Sequence, residues 1–144
     1  MNNLFFPTSS MKWIYILTPF SAWVIAGGVK FLINSIKSRT LAFGQIGYGG
    51  MPSSHSAIVC SVAVMAAFRE GVESSVFVVA LTLAFIVMMD AMDLRRKIGQ
   101  HAARLNLLSS DFPKLRERVG HSPIEVLAGA LTGTLTAVLI HTLA

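Results

Sequence analysis

From Val126 to Ala144 the only ionisable side chain is His141, and from Trp13 to about Ile33 the only charged one is Lys30. Runs like these constrain the fold more than any other feature of the chain. A helix crossing a bilayer needs roughly 20 predominantly apolar residues. In hydrocarbon its backbone N–H and C=O groups must pair within the segment. Two shorter runs lie between. One ends at Phe68, carries no charge back to Thr40 and is strongly apolar from Ala57; the other runs from Ser74 to Met89. The expectation is an all-α integral membrane helical bundle of about four transmembrane helices plus a surface helix, with residues 1–144 forming one domain.

Composition agrees. The 144 residues are 53% hydrophobic and 13% charged, against about 25% charged in soluble domains. The net charge of +5 does not point to nucleic acid, because the Lys and Arg residues lie between apolar runs and not on a water-facing surface. The single cysteine, Cys60, sits inside an apolar run and reads as packing. No small-residue cleavage site follows the first apolar run, so it reads as a retained helix and not a signal peptide. Pro19 and the Gly27-Gly28 pair are expected to bend or loosen it. Leu94, Ile98 and Leu105 give the stretch from Asp93 to about Leu108 a helical spacing near the membrane surface. Ser109-Ser110-Asp111 with Pro113 reads as a break.

Four spans put the loops around 34–54 and 90–122 on one side, and both termini and the Arg69–Glu73 link on the other. The first side carries Lys30, Lys37, Arg39, Arg95, Arg96, Lys97, Arg104, Lys114, Arg116 and Arg118; the second carries Lys12 and Arg69. The positive-inside rule assigns the first side to the cytoplasm. A phosphate site is itself basic, so chemistry competes as an explanation for part of that bias.

Two strings carry chemistry. Gly49-Gly50-Met51-Pro52-Ser53-Ser54-His55-Ser56 opens the second helix. A helix N-terminus offers free N–H groups and partial positive charge to an anion, the serines add donors, and His55 can carry a proton. Capping by Ser53 or Ser54 accounts for the serines alone, but not for the histidine. Gly120-His121-Ser122-Pro123-Ile124-Glu125 opens the last helix. Ser122 to Glu125 reads as a capping box with Pro at the first helical position. Equally, Glu125 lies four residues after His121 and could hold one imidazole nitrogen, leaving the other free to attack. Both strings start helices on the same side. Two histidines, a carboxylate and many cations then share one face, as attack on phosphorus requires.

Pro52-Ser53-Ser54-His55 resembles the Pro-Ser-Gly-His motif of the type 2 phosphatidic acid phosphatases, relatives of vanadium-dependent haloperoxidases. His121 through Gly129 is similar to their third motif, where a histidine precedes an aspartate by four residues. From about Lys30 to the C-terminus the chain more closely resembles the small divergent branch of that superfamily. That branch shares the Gly-Gly-Met-Pro-Ser-Ser-His-Ser string, an Asp followed by paired Arg as in Asp90 with Arg95-Arg96, and the late Gly-His-x-Pro-Ile-Glu-Val. The resemblance implies a phosphatase with His121 as nucleophile, Glu125 as its orienting partner and His55 as proton donor to the leaving alkoxide. Ser53 and Ser54 would bind phosphoryl oxygens. Lys30 and Arg39 would be the cations of the first motif, with Arg95 or Arg96 completing the set. The superfamily places Arg-Pro seven residues after its Lys, where this chain has Lys37, and an Arg six before the His, where it has Leu115. Ser54 replaces a glycine.

The implied reaction needs no metal or cofactor. Asp90 and Asp93, at the end of the third run, could pair with Arg95 or Arg96, bind a divalent cation or mark the helix end. Gly129, Gly133 and Ala137 recur every four residues and permit close helix packing, while His141 falls on the opposite side from the site. The expected partner is a phospholipid substrate, with phosphatidylglycerophosphate or phosphatidate first because both form on the cytoplasmic face. Undecaprenyl pyrophosphate is the alternative, with a site on the outer face. A non-catalytic membrane protein binding anionic headgroups is the other rival. Four spans, fewer than the six of larger relatives, leave room for a homodimer in the cytoplasmic membrane.

Overall fold

The computed structural model describes residues 13–39, 41, 50–108 and 113–143. Lys12, Gly49, the break at Ser109-Ser110-Asp111 and Ala144 lie outside the described residues. The described chain is all-helical: α1 Trp13–Ser38, α2 Ser54–Glu70, α3 Ser75–Met92, α4 Leu94–Leu108 and α5 Pro123–Leu143. Helix α1 continues through Pro19 and the glycine pair to Ser38, past the expected end at Ile33. Helices α2 and α3 start at serine caps. Ser53 Oγ accepts from Ser56 N and Ser74 Oγ accepts from Phe77 N.

Three stretches are long and apolar enough to cross a membrane: Tyr15–Ser38, Ser75–Leu108 and Pro123–Leu143. The protein is an integral membrane helix bundle. The fourth expected span, α2, has 17 residues, roughly 25 Å of helix at 1.5 Å per residue. It packs against α1, α3 and α5, and neighbours on three sides reduce its need for an apolar surface of its own.

The packing is inverted relative to a water-soluble protein. Ala22, Ala26, Ala57, Ala84, Gly129, Gly133 and Ala137 are buried, whereas Phe20, Trp23, Leu32, Phe85, Leu131 and Leu135 are exposed. Lipid tails are as apolar as leucine, so large side chains gain little by turning inward, and small ones let backbones approach. Glycine decides the α2–α5 crossing. A Cβ on Gly129 would run into the Ser53 carbonyl oxygen, and one on Gly133 into the Ala57 carbonyl oxygen.

The helices alternate in direction. At one end, Tyr15 near the start of α1 meets Arg69 at the end of α2, whose guanidinium carbon lies 4.7 Å from the ring centroid. His141, near the end of α5, stacks on Phe68 with centroids 4.4 Å apart. The end of α1 and the starts of α2 and α5 therefore gather at the opposite end. Helix α4 follows α3 after Asp93, and among the described residues its backbone packs against none of α1, α2 and α5, although its Arg95 side chain reaches His55 on α2. The segment 113–120 returns alongside it, with Asn106 bonded to both the backbone N–H and the carbonyl of Leu115 at 2.8 Å.

Candidate active site

The Pro52–Ser56 segment enters α2 with Pro52, Ser53 and Ser56 fully buried. Ser53 N donates to the Glu125 carbonyl at 2.9 Å, which ties the start of α2 to the first turn of α5. Ser53 Oγ accepts from Ser56 Oγ at 3.0 Å and from Ser56 N at 3.4 Å, so its oxygen is engaged in closing the helix start. Ser54 is the half-buried first residue of α2. Asn34, one helical turn after Lys30, lies against this loop; a Cβ on Gly50 would stand 3.8 Å from its Oδ1. Sequence reading missed Asn34, although its i+4 spacing from Lys30 puts both on one face of α1.

His121 approaches from the other side. Gly120 precedes it at φ 91°, in the left-handed region, where a Cβ would come within 2.8 Å of Arg96 N. Only glycine passes this point without strain. His121 N then donates to the Ala91 carbonyl at 2.9 Å, anchoring the residue to the last turn of α3. The two histidine rings meet nearly edge-on with centroids 6.0 Å apart. His121 is 6% exposed, and neither of its ring nitrogens has a hydrogen-bond partner among the described residues. Buried polar atoms are nearly always paired, so a buried imidazole with both nitrogens unpartnered is unusual.

Burial first, and then the charge of Lys30, holds the His121 imidazole down at about 4; Glu125 pulls upward, while His55 and Arg95 add to the lowering. The ring is neutral at pH 7 and has a free lone pair. Glu125 is within electrostatic reach, but its Oε2 accepts from Ser122 N at 2.8 Å, and Ser122 Oγ accepts from Glu125 N at 3.3 Å. That is a closed capping box. The hydrogen bond that a His121 ring N–H could donate to Glu125 is not made in this arrangement.

The cations divide. Arg95 Nε donates to Asp90 Oδ2 at 2.8 Å, and Arg95 Nη1 lies 3.2 Å from His55 Nε2. A guanidinium can only donate, so His55 Nε2 acts as the acceptor in this contact, while His55 Nδ1 is buried without a partner among the described residues. Lys30 is half-buried and acts electrostatically on both histidines and Glu125. Arg96 is exposed beside Gly120. Arg39 is exposed at the end of α1 with φ 53°, and no described contact brings it to either histidine. Asp93 accepts from Lys97 Nζ at 3.0 Å in an exposed pair. Both aspartates thus face cations, and among the described residues no three His, Cys, Asp or Glu side chains gather as a metal-ligating cluster.

Residues 11–136 match the model of the family described as "Divergent PAP2 family". The chain belongs to this family. A relative is the uncharacterized membrane protein YuiD of Bacillus subtilis (strain 168), 37% identical over 145 residues that cover 87% of this chain and 92% of that protein. No solved structure matches. Family membership suggests a membrane protein related to phosphatases.

Proposed function

We propose that the protein is a membrane lipid phosphatase that hydrolyses a phosphomonoester through a phosphohistidine. The observation carrying this reading is His121: buried, held neutral, unpartnered at both ring nitrogens among the described residues, and 6.0 Å ring to ring from a second histidine that Arg95 contacts. A neutral imidazole is a competent nucleophile. Lys30, Arg95 and the N-termini of α2 and α5 supply positive charge where phosphoryl oxygens gather it.

In the first step a His121 nitrogen forms a bond to phosphorus, the ester P–O bond breaks, and protonated His55 gives its proton to the departing alkoxide. In the second, now-neutral His55 takes a proton from water. The hydroxide attacks phosphorus, the P–N bond breaks, and inorganic phosphate leaves with His121 restored. The two histidines need opposite protonation states, which gives a bell-shaped pH–rate profile. The basic loops support a site on the cytoplasmic side, which favours phosphatidylglycerophosphate or phosphatidate over undecaprenyl pyrophosphate.

Phosphate release by purified protein from these three lipids tests the reading, with His121→Ala and His55→Ala alongside. Wild type should release phosphate from a monoester lipid and accumulate an acid-labile phosphoprotein, with both lost in His121→Ala. Equal turnover in wild type and His121→Ala would exclude the nucleophile. Headgroup binding without turnover in all three proteins would favour a non-catalytic binder. A tag in the Arg69–Glu73 link should report the outer face; a cytoplasmic tag reverses the orientation.

A further inference from the structure

The guanidinium of Arg95 is shared between two elements. On one edge its Nε is held by Asp90 Oδ2, from the last turn of α3, at 2.8 Å. On the other, Nη1 reaches His55 Nε2 on α2 at 3.2 Å. Both bonds are partly buried and lie beside His121. We infer that Asp90 is a positioning residue that sets Arg95 as a clasp on His55, and that an arriving phosphate group draws Arg95 away and frees His55 to take up a proton. This deepens the phosphatase reading and rests on it for the identity of the arriving group.

The argument is one of competing acceptors. Hydrogen bonds to ionised groups are roughly twice as strong as neutral ones, and a phosphate dianion offers several charged oxygens where an imidazole offers one neutral lone pair. Arg95 therefore prefers phosphate as soon as phosphate is within reach. While Arg95 donates to His55 Nε2, that lone pair is occupied beside a positive charge, and both effects oppose a second proton. When Arg95 turns, the lone pair opens. The groups facing His55 are then Lys30 from α1, Asp90 from α3, His121 just before α5, and the phosphate itself. The added dianion tips this balance toward imidazolium. The proton donor is thus charged only with a substrate in place.

Asp90 is needed because a guanidinium has five donors in a fixed fork. Fixing the Nε edge aims the Nη edge. Lysine, a point charge on a flexible stem, cannot hold a carboxylate and His55 in the same geometry.

The test is the ring tautomer of His55, read by ¹⁵N NMR on ¹⁵N-histidine-labelled full-length protein in micelles, with His55→Gln to assign the signal. Wild type should show the Nδ1–H tautomer. Arg95→Met and Asp90→Ala should shift His55 to the Nε2–H tautomer, and Asp90→Glu should restore part of the wild-type signal. Inorganic phosphate added to wild type should convert His55 to the doubly protonated form, and should not do so in Arg95→Met. In a lipid phosphate assay, Asp90→Ala should lower kcat/KM by about 10- to 100-fold, the value of one hydrogen bond to a charged group. Should Asp90→Ala not fold, Asp90→Asn keeps the shape without the charge. Finding Nε2–H in wild type, or a tautomer indifferent to Asp90, overturns the clasp. Wild-type His55 unmoved by saturating phosphate overturns its release. Intact NMR behaviour with no turnover on any lipid would count against the phosphatase reading alone.

Discussion

Gly129→Ala should damage both stability and chemistry, through one added methyl group. Gly129 sits where α5 crosses the start of α2. Its Cβ would collide with the Ser53 carbonyl oxygen and stand 2.9 Å from Ser56 Cβ and 3.0 Å from the Ser53 carbonyl carbon. Optimal carbon–carbon separation is about 3.5–4.0 Å, so α5 must withdraw from α2 by about 1 Å. None of the atoms met is the end of a flexible side chain; two are backbone and the third is a Cβ. Overpacking of this kind costs about 1–3 kcal/mol. The same movement strains the Ser53–Glu125 backbone bond, which holds the two histidine-bearing helix starts together. A displacement near 1 Å at a reacting centre can lower the rate about 100-fold, or about 2.7 kcal/mol of barrier. The assay is thermal unfolding in detergent beside phosphate release, with Gly28→Ala as control. A Cβ on Gly28 meets nothing within 4 Å, and alanine improves helix propensity there by up to about 1 kcal/mol. Gly129→Ala with wild-type Tm and wild-type turnover would refute the claim that this crossing sets the histidine spacing.

Glu125 separates into two roles by substitution. Glu125→Ala should lose about 1 kcal/mol of stability with the cap; Glu125→Gln keeps an acceptor for Ser122 N and should unfold near the wild-type temperature. If Glu125→Gln also keeps full turnover, the carboxylate serves the cap and not His121. Acid should act through His121. Its pKa is about 4 when folded against 6.5 ordinarily, so between these values the unfolded chain binds the extra proton. The stability tied to the neutral ring is present above pH 6.5 and is lost as pH falls toward 4. Unfolding temperatures measured across that window should fall in wild type and fall less in His121→Gln. Under the proposed mechanism turnover should also disappear as pH drops through about 4, since His121 is then protonated.

Apolar run length, together with the rule that backbone in hydrocarbon must pair internally, was enough to determine an all-helical membrane bundle. Local chain chemistry was also legible. Ser53 caps α2, Ser122 with Glu125 caps α5, and the four-residue repeat Gly129-Gly133-Ala137 marks the close face, because each depends on neighbours within one or two turns. Charge asymmetry and alternating helix direction were enough to put both histidines at the same end. What required the tertiary structure is the pairing of groups far apart in sequence. Nothing local tells Arg95 to choose His55, forty positions away, or tells Asp90 to hold Arg95 while Asp93, three residues on, takes Lys97. Glu125 is the sharpest case. Its spacing allowed both a cap and a histidine partner, and only the folded backbone, which brings Ser122 N to 2.8 Å from its carboxylate, decides between them in this state.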